Sequence, residues 1–201
     1  ERSWEFRSSP LLCASLGQVK SLQNAYSAWI AENNQRITDL QRLEEEANDI
    51  FIRQYGLEGD IEPDVAIEQI TLTINPAYRY GGKMTEEEQR ARFRRDTMGE
   101  FLSYAAGCMM GRYSLDQQGL ILADSLDSQA SHLAAYEEKL GKPITEIQFK
   151  PDADAILPVL DGEWFEDDIV ARTREFLEVT FPESSVIENL RFIEESLGKD
   201  I

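Results

Sequence analysis

From Gln18 to Tyr55 the chain runs for 38 residues without a proline or a glycine. No other feature limits the fold so strongly. Val19, Leu22, Tyr26, Trp29, Ile37, Leu40, Ala47 and Phe51 follow a spacing of three and four, with polar lapses at Asn33, Glu44 and Gln54. That pattern, close to a 3.5-residue repeat, holds one stripe on one helix face. A helix of this length spans roughly 57 Å at 1.5 Å per residue. It predicts a strut or half of a helical hairpin, begun at about Ser15 and capped at its C-terminus by Gly56. A second long helix, Thr85 to about Tyr113, is its expected partner. Thr85 and Glu88 form a capping box at its start. Glu86 with Arg90 and Glu88 with Arg92 are pairs four apart in the better orientation.

The other segments are shorter. Glu1–Pro10 reads as an extended lead-in, with Trp4 and Phe6 as anchors. Leu57–Val65 is a loop. Ile67–Ile74 alternates and is β-branched, which predicts a short strand broken by Asn75-Pro76. Tyr78–Gly82 is a flexible connection. Ala123–Ser128 is a linker, and Gln129–Leu140 is a helix closed by Gly141. Ile156–Leu160 is extended, and Asp161-Gly162 is a turn. Phe165–Phe181 is an amphipathic helix stopped by Pro182, and Ser184–Leu197 is a last helix ended by Gly198. The expected fold is mainly α. Long antiparallel helices form a spacer or bundle, with one or two short extended segments. Residues 1–123 make the long-helix hairpin, and 124–201 a smaller acidic helical subdomain.

Charge narrows the range of functions. The net charge is −18, which disfavours non-specific binding of the whole chain to a phosphate backbone. The charge is uneven: residues 124–201 hold 19 acidic and 7 basic side chains, residues 85–123 hold 6 and 5. Apolar runs fall short of the ~20 residues of a membrane span. Cys13 and Cys108 stand far apart without a CxxC pairing, which points to a reducing, cytoplasmic setting rather than a disulfide framework. The first residue is not methionine and no apolar signal region opens the chain, so a processed product or a piece of a longer protein is expected.

Phe101–Ala123, FLSYAAGCMMGRYSLDQQGLILA, is the most particular stretch. Gly99, Ser103, Gly107 and Gly111 fall four apart, giving a side-chain-poor groove along one helix face. Interior glycines cost roughly 1 kcal/mol each against alanine. Close approach of another backbone is the expected compensation, with a second helix favoured over a ligand or nucleic acid. Phe93, Met98, Phe101, Leu102, Ala105, Cys108 and Met109 are assigned to the core. Ser114-Leu115-Asp116 is a turn, and Gly119 frees the chain before Leu120–Leu122.

Chemical motifs are sparse. Asn75-Pro76-Ala77-Tyr78 resembles the Asn-Pro-Pro-Tyr loop of adenine-N6 methyltransferases, in which the Asn and a Pro carbonyl bind the target amine and the aromatic ring stacks on a flipped base. The second Pro is absent, and an Asn-Pro turn with tyrosines packed on a helix is the favoured reading. Arg79, Lys83, Arg90, Arg92, Arg94 and Arg95 make a basic run, for which a solvated face pairing with neighbouring glutamates is the favoured reading; Arg79, Lys83, Arg90, Arg94, Arg95 and Arg112 are the candidate contacts for DNA or an acidic partner. Pro151-Asp152 with Asp161-Gly162-Glu163 lacks the following Lys that a nuclease carboxylate set requires. Glu163, Glu166, Asp167 and Asp168 fit the start of a helix instead. His132, the one histidine, is expected at the surface. No serine-nucleophile elbow, phosphate loop or dinucleotide fingerprint occurs. No residue is assigned to catalysis, cofactor or metal.

Several phrases carry a resemblance. Ser103–Asp116 and Gly119–Ile121 are similar to the phrase SYAVGCMFGRYSLD…GLI of the PglX-type adenine-specific DNA methyltransferases of bacteriophage-exclusion (BREX) systems, relatives of type IIG restriction–methylation enzymes. Ile70–Gly82, Ile50–Leu57 and Pro158–Lys199 also match that family's style. The resemblance implies a helical spacer between the catalytic and target-recognition regions of a phage-defence enzyme. S-adenosylmethionine would be the parent's cofactor, and its site and true Asn-Pro-Pro-Tyr loop would lie outside this chain. Implied partners are the rest of the methyltransferase chain, DNA through the parent, and other defence proteins. The alternative is a free-standing acidic helical adaptor for a basic protein.

Overall fold

The computed structural model describes residues 6–13, 19–123, 129–159, 165 and 167–198. Its elements are α1 (Pro10–Cys13), α2 (Leu22–Tyr55), α3 (Pro76–Tyr80), α4 (Glu86–Met109), α5 (Gln129–Leu140), α6 (Ile169–Thr180) and α7 (Val186–Leu197). Among the described residues there is no strand. The all-helical architecture agrees with the expected fold class. The chain divides into two compact units, one of Ser27–Arg95 and one of Glu1–Tyr26 with Asp96–Ile201.

In the Ser27–Arg95 unit, α2 buries Ile37 against Val65 and Ile70, with Leu40, Leu72 and Ile74 packed alongside. Trp29 stacks on Phe93 with ring centroids 5.6 Å apart, and Tyr80 meets the same ring edge-on. The chain leaves α2 through a Schellman motif. Gly56 sits at φ +68°, and the amides of Gly56 and Leu57 donate to the carbonyls of Arg53 and Ile52. The loop then runs back along α2. Asn48 donates to the Pro63 carbonyl, Gln41 to the Val65 carbonyl, and the Val65 amide to Glu45.

Two expectations fail here. Ile67–Ile74 is not a strand: Ile67–Gln69 is a 3₁₀ turn, residues 70–72 are irregular, and Thr73 and Ile74 form a turn. Its alternation reflects half-burial of Leu72 and Ile74 under α2, and the turn is pinned by Asn75. The Asn75 amide donates to the carbonyls of Ile67 (2.7 Å) and Ile70 (3.0 Å). Tyr78–Gly82 is not a flexible link either. Its first half is the end of α3, with Asn75 as N-cap and Pro76 in the first turn. The capping box of α4 is present, Glu88 accepting from the Thr85 amide at 2.7 Å and Thr85 from the Glu88 amide at 3.2 Å. Arg90 pairs with Glu86 at 2.9 Å. The expected Glu88–Arg92 pair is absent because the cap occupies Glu88; Arg92 lies over the Tyr80 ring instead.

In the other unit, α2 starts later than expected. Ser21 is its N-cap, with the Asn24 amide on its hydroxyl and the Ala25 amide on its carbonyl. The Leu22 amide is satisfied by the Asn189 side chain of α7 at 2.7 Å. Phe176 of α6 anchors the aromatic core, meeting Phe101, Tyr104 and Phe149 edge-on. Asp168 is the N-cap of α6 and is fully buried, accepting from Val170, Ala171 and Phe165 amides. Ile156 and Val159, in the segment read as extended, are exposed. Trp4, the 124–128 linker, Asp161–Glu163 and Glu166 lie outside the described residues.

Candidate functional site

The FLSYAAGCMMGRYSLDQQGLILA stretch is the end of α4 and the loop that follows, and its structure begins with the helix terminus. α4 stops at Met109, short of the expected Tyr113. Gly111 takes φ +72°, the Gly111 amide donates to Cys108, and the Arg112 amide donates to Gly107 at 2.7 Å. This is a second Schellman cap, and only a residue without a side chain adopts that φ without strain. A Cβ on Gly111 would also lie 3.0 Å from His132 Nε2 and 3.4 Å from the Tyr136 ring.

The four small residues therefore occupy different surroundings. Gly99 and Ser103 are exposed, and a Cβ on Gly99 would meet nothing within 4 Å. Gly107 is buried, and Gly111 is the cap beyond the helix.

Beyond Gly111 the loop is tied by aromatic rings and their hydroxyls. Tyr104 and Tyr113 stack with centroids 5.3 Å apart, and Phe6 packs edge-on against both. The Tyr104 hydroxyl donates to the Ser114 carbonyl at 3.2 Å, and the Tyr136 hydroxyl to the Tyr113 carbonyl at 3.1 Å. Burial pushes the Tyr136 phenol up to about 12. Phe6 thus acts as the expected anchor, and Tyr136 is one the sequence reading missed.

Asp116 fastens the loop to the segment after α5. Its carboxylate takes the Lys142 ammonium at 2.8 Å and the Gln148 amide at 3.0 Å. Burial alone would raise this carboxyl, but the Lys142 hydrogen bond, the Gln148 amide and the Lys142 charge together hold it below its ordinary value. The Ser114 hydroxyl accepts from the Asp116 amide at 3.1 Å and sets the turn. Further backbone bonds run from Gly119 to Arg7, Ile121 to Arg112, and Asp152 to Met109. Beside the loop lies a cleft of about 400 Å³ lined by Ser8, Tyr104, Ser114, Asp116, Gln148 and Thr180, among others. It offers hydroxyls and amides, and its carboxylate is already held by Lys142.

His132 corrects an expectation. It is 2% exposed rather than at the surface, and neither ring nitrogen has a hydrogen-bond partner. It shares the inner face of α5 with Tyr136, four residues on. That spacing was the available signal.

The basic run lies in the Ser27–Arg95 unit. Arg79 is half-buried, its guanidinium 5.3 Å from the Tyr80 centroid and 5.6 Å from that of Phe93. Arg90 is paired, while Lys83 and Arg95 are exposed. Arg112, in the other unit, lies over the Tyr113 ring. Among the described residues no group of three His, Cys, Asp or Glu side chains could hold a metal ion, and no helix is long and apolar enough to cross a membrane. Cys108 is buried.

The helices and this clamped loop define a helical segment whose relatives are adenine-specific methyltransferases. The chain is homologous along nearly all its length to a segment of the enzymes named BrxX and PglX. It is 37% identical over 197 residues to the adenine-specific methyltransferase BrxX of Escherichia coli O9:H4 (strain HS), an alignment covering 98% of this chain and 15% of that protein. It is 32% identical over 203 residues to the adenine-specific methyltransferase PglX of Lacticaseibacillus casei (strain Zhang), covering 99% and 14%. The chain thus spans about one-seventh of the length of these relatives. No protein-family model matches it.

Proposed function

We propose that the chain serves as a helical spacer of a site-specific adenine-N6 DNA methyltransferase in bacteriophage defence, linking catalytic and target-recognition regions. The observation that carries this reading is the 37% identity to BrxX across 98% of the chain. The fold is consistent with it. α2, with 34 residues, is roughly 51 Å long at 1.5 Å per residue. The motif loop spends its polar groups on internal bonds, as a positioning element does. S-adenosylmethionine is the expected cofactor of the parent enzyme and binds outside this chain. Lys83, Arg94 and Arg95 are the residues proposed to reach DNA phosphates or an acidic partner, and Gly99 with Ser103 the face open to close packing.

The test uses calorimetry and a methylation assay. The isolated chain takes up no S-adenosylmethionine, whereas the natural full-length polypeptide binds it and methylates adenine in duplex DNA. Loosening the loop with Gly111→Ala in the full polypeptide leaves cofactor binding intact and lowers methylation. Micromolar cofactor binding by the isolated chain would overturn the spacer assignment.

A further inference from the structure

The C-terminal half of α2 carries an apolar face that the described residues leave uncovered. Leu43, Ala47, Ile50 and Phe51 lie at i, i+4, i+7 and i+8, the spacing of one helix face. Leu43 is 52% exposed, Ile50 65%, Phe51 60%, and Tyr55 one turn on 72%. Ile37 and Ile52 of the same helix are buried. Large apolar side chains grouped in this way mark an interaction surface.

The surroundings of the face specify its occupant. The return loop, held to α2 by Gln41, Glu45 and Asn48, presents Glu58, Asp60, Glu62 and Asp64, all exposed and without an ion pair among the described residues. The other border carries Arg42 and Arg53, each already paired, with Glu46 and Asp49. A face with an i, i+4, i+7 ridge accepts another helix. An unpaired acidic rim selects a helix flanked by Lys and Arg, and a net charge of −18 opposes a second copy. The relatives carry this segment within one much longer polypeptide.

From these observations we infer that the Leu43–Tyr55 face of α2 seats a basic amphipathic helix from another part of the same polypeptide. The choice of source rests on the methyltransferase reading above. The occupant's chemistry rests on the face itself.

The experiment places the photo-crosslinking residue p-benzoylphenylalanine at position 51 of the natural full-length polypeptide. Mass spectrometry then maps the linked peptide. The expected link joins position 51 to an apolar helix bearing Lys or Arg within the same molecule. Its yield falls as salt is raised, and Ile50→Asp, a change at an exposed position, abolishes it without altering the circular dichroism. A link to a second copy, to an acidic helix or to a separate protein overturns the inference, and so does the absence of any link. The same preparation is assayed for adenine methylation. An active methyltransferase without the link defeats this inference alone. The expected link in a protein that methylates nothing defeats the functional reading and leaves the docked face standing.

Discussion

The side chain of Asn189, near the end of the chain, accepts the backbone amide of Leu22 at 2.7 Å across 167 residues of sequence. Both residues are fully buried. The first amides of a helix have no partner within it, so α2 has one of its opening bonds supplied by α7. Asn189→Ala leaves that amide buried and unpaired. The expected loss is about 1–3 kcal/mol, or a fall in melting temperature of roughly 2–4 °C per kcal/mol for a chain of this size, read by thermal denaturation.

Gly111→Ala meets two obstacles: the left-handed backbone and the His132 ring 3.0 Å from the new Cβ. The backbone term alone is about 1–2 kcal/mol. In a double-mutant cycle by urea unfolding, His132→Ala should recover the steric part and leave the backbone part. Additive effects would show that the ring yields without cost.

Asp116 makes stability depend on pH in a definite direction. Its carboxyl is held below the ordinary value of 3.8 in the folded chain. The contribution is complete above that value and is lost as pH falls through the lower folded value. Asp116→Asn should lower the urea midpoint at pH 7, by the equivalent of roughly 1.5–3 kcal/mol for a charged hydrogen bond. The difference from the natural sequence should shrink below pH 4. A difference that persists unchanged at pH 2 would mean that packing, not charge, holds the loop.

Tyr136 gives the opposite limb. Its phenol is raised to about 12, above the ordinary value of 10.0. The protonated form is therefore favoured by folding, and its contribution is lost as pH rises from about 10 to 12. Tyr136→Phe should remove a phenol that titrates near pH 12 from the ultraviolet titration and cost about 1 kcal/mol at neutral pH.

Helices with strong local signals were legible in the sequence. Gln129–Leu140 matches α5 at both ends, because Gly141 supplies the left-handed stop. Thr85 and Glu88 announce α4 through a purely local bond pattern. The failures share a cause in distant partners. Alternation in Ile67–Ile74 measures burial against α2, and nothing local distinguishes that from burial in a sheet. The end of α4 at Met109 depends on Gly111 facing His132 of another helix. In the candidate site, Ser103–Asp116 stood out in the sequence by its unusual residues. Its fastening by Lys142, Gln148 and Tyr136 was not, since those residues lie 20 to 45 positions away and carry no motif of their own.

Asn75 offers a way to sort true from false occurrences of an Asn-Pro-aromatic phrase. A carboxamide has two hydrogens to give and one oxygen to receive. Here both hydrogens go to Ile67 and Ile70, and the oxygen takes the Ala77 amide. The residue is 2% exposed, so its side chain is buried in the turn rather than presented to a base. A similar Asn-Pro-aromatic phrase can be a catalytic grip or a fold clasp, and the bonds of the buried Asn75 are those of a clasp. Replacing it with aspartate separates the two uses. Aspartate keeps the oxygen that caps α3 and removes the donors that close the turn, so the damage here would appear as instability, with no change in how a nucleotide is bound.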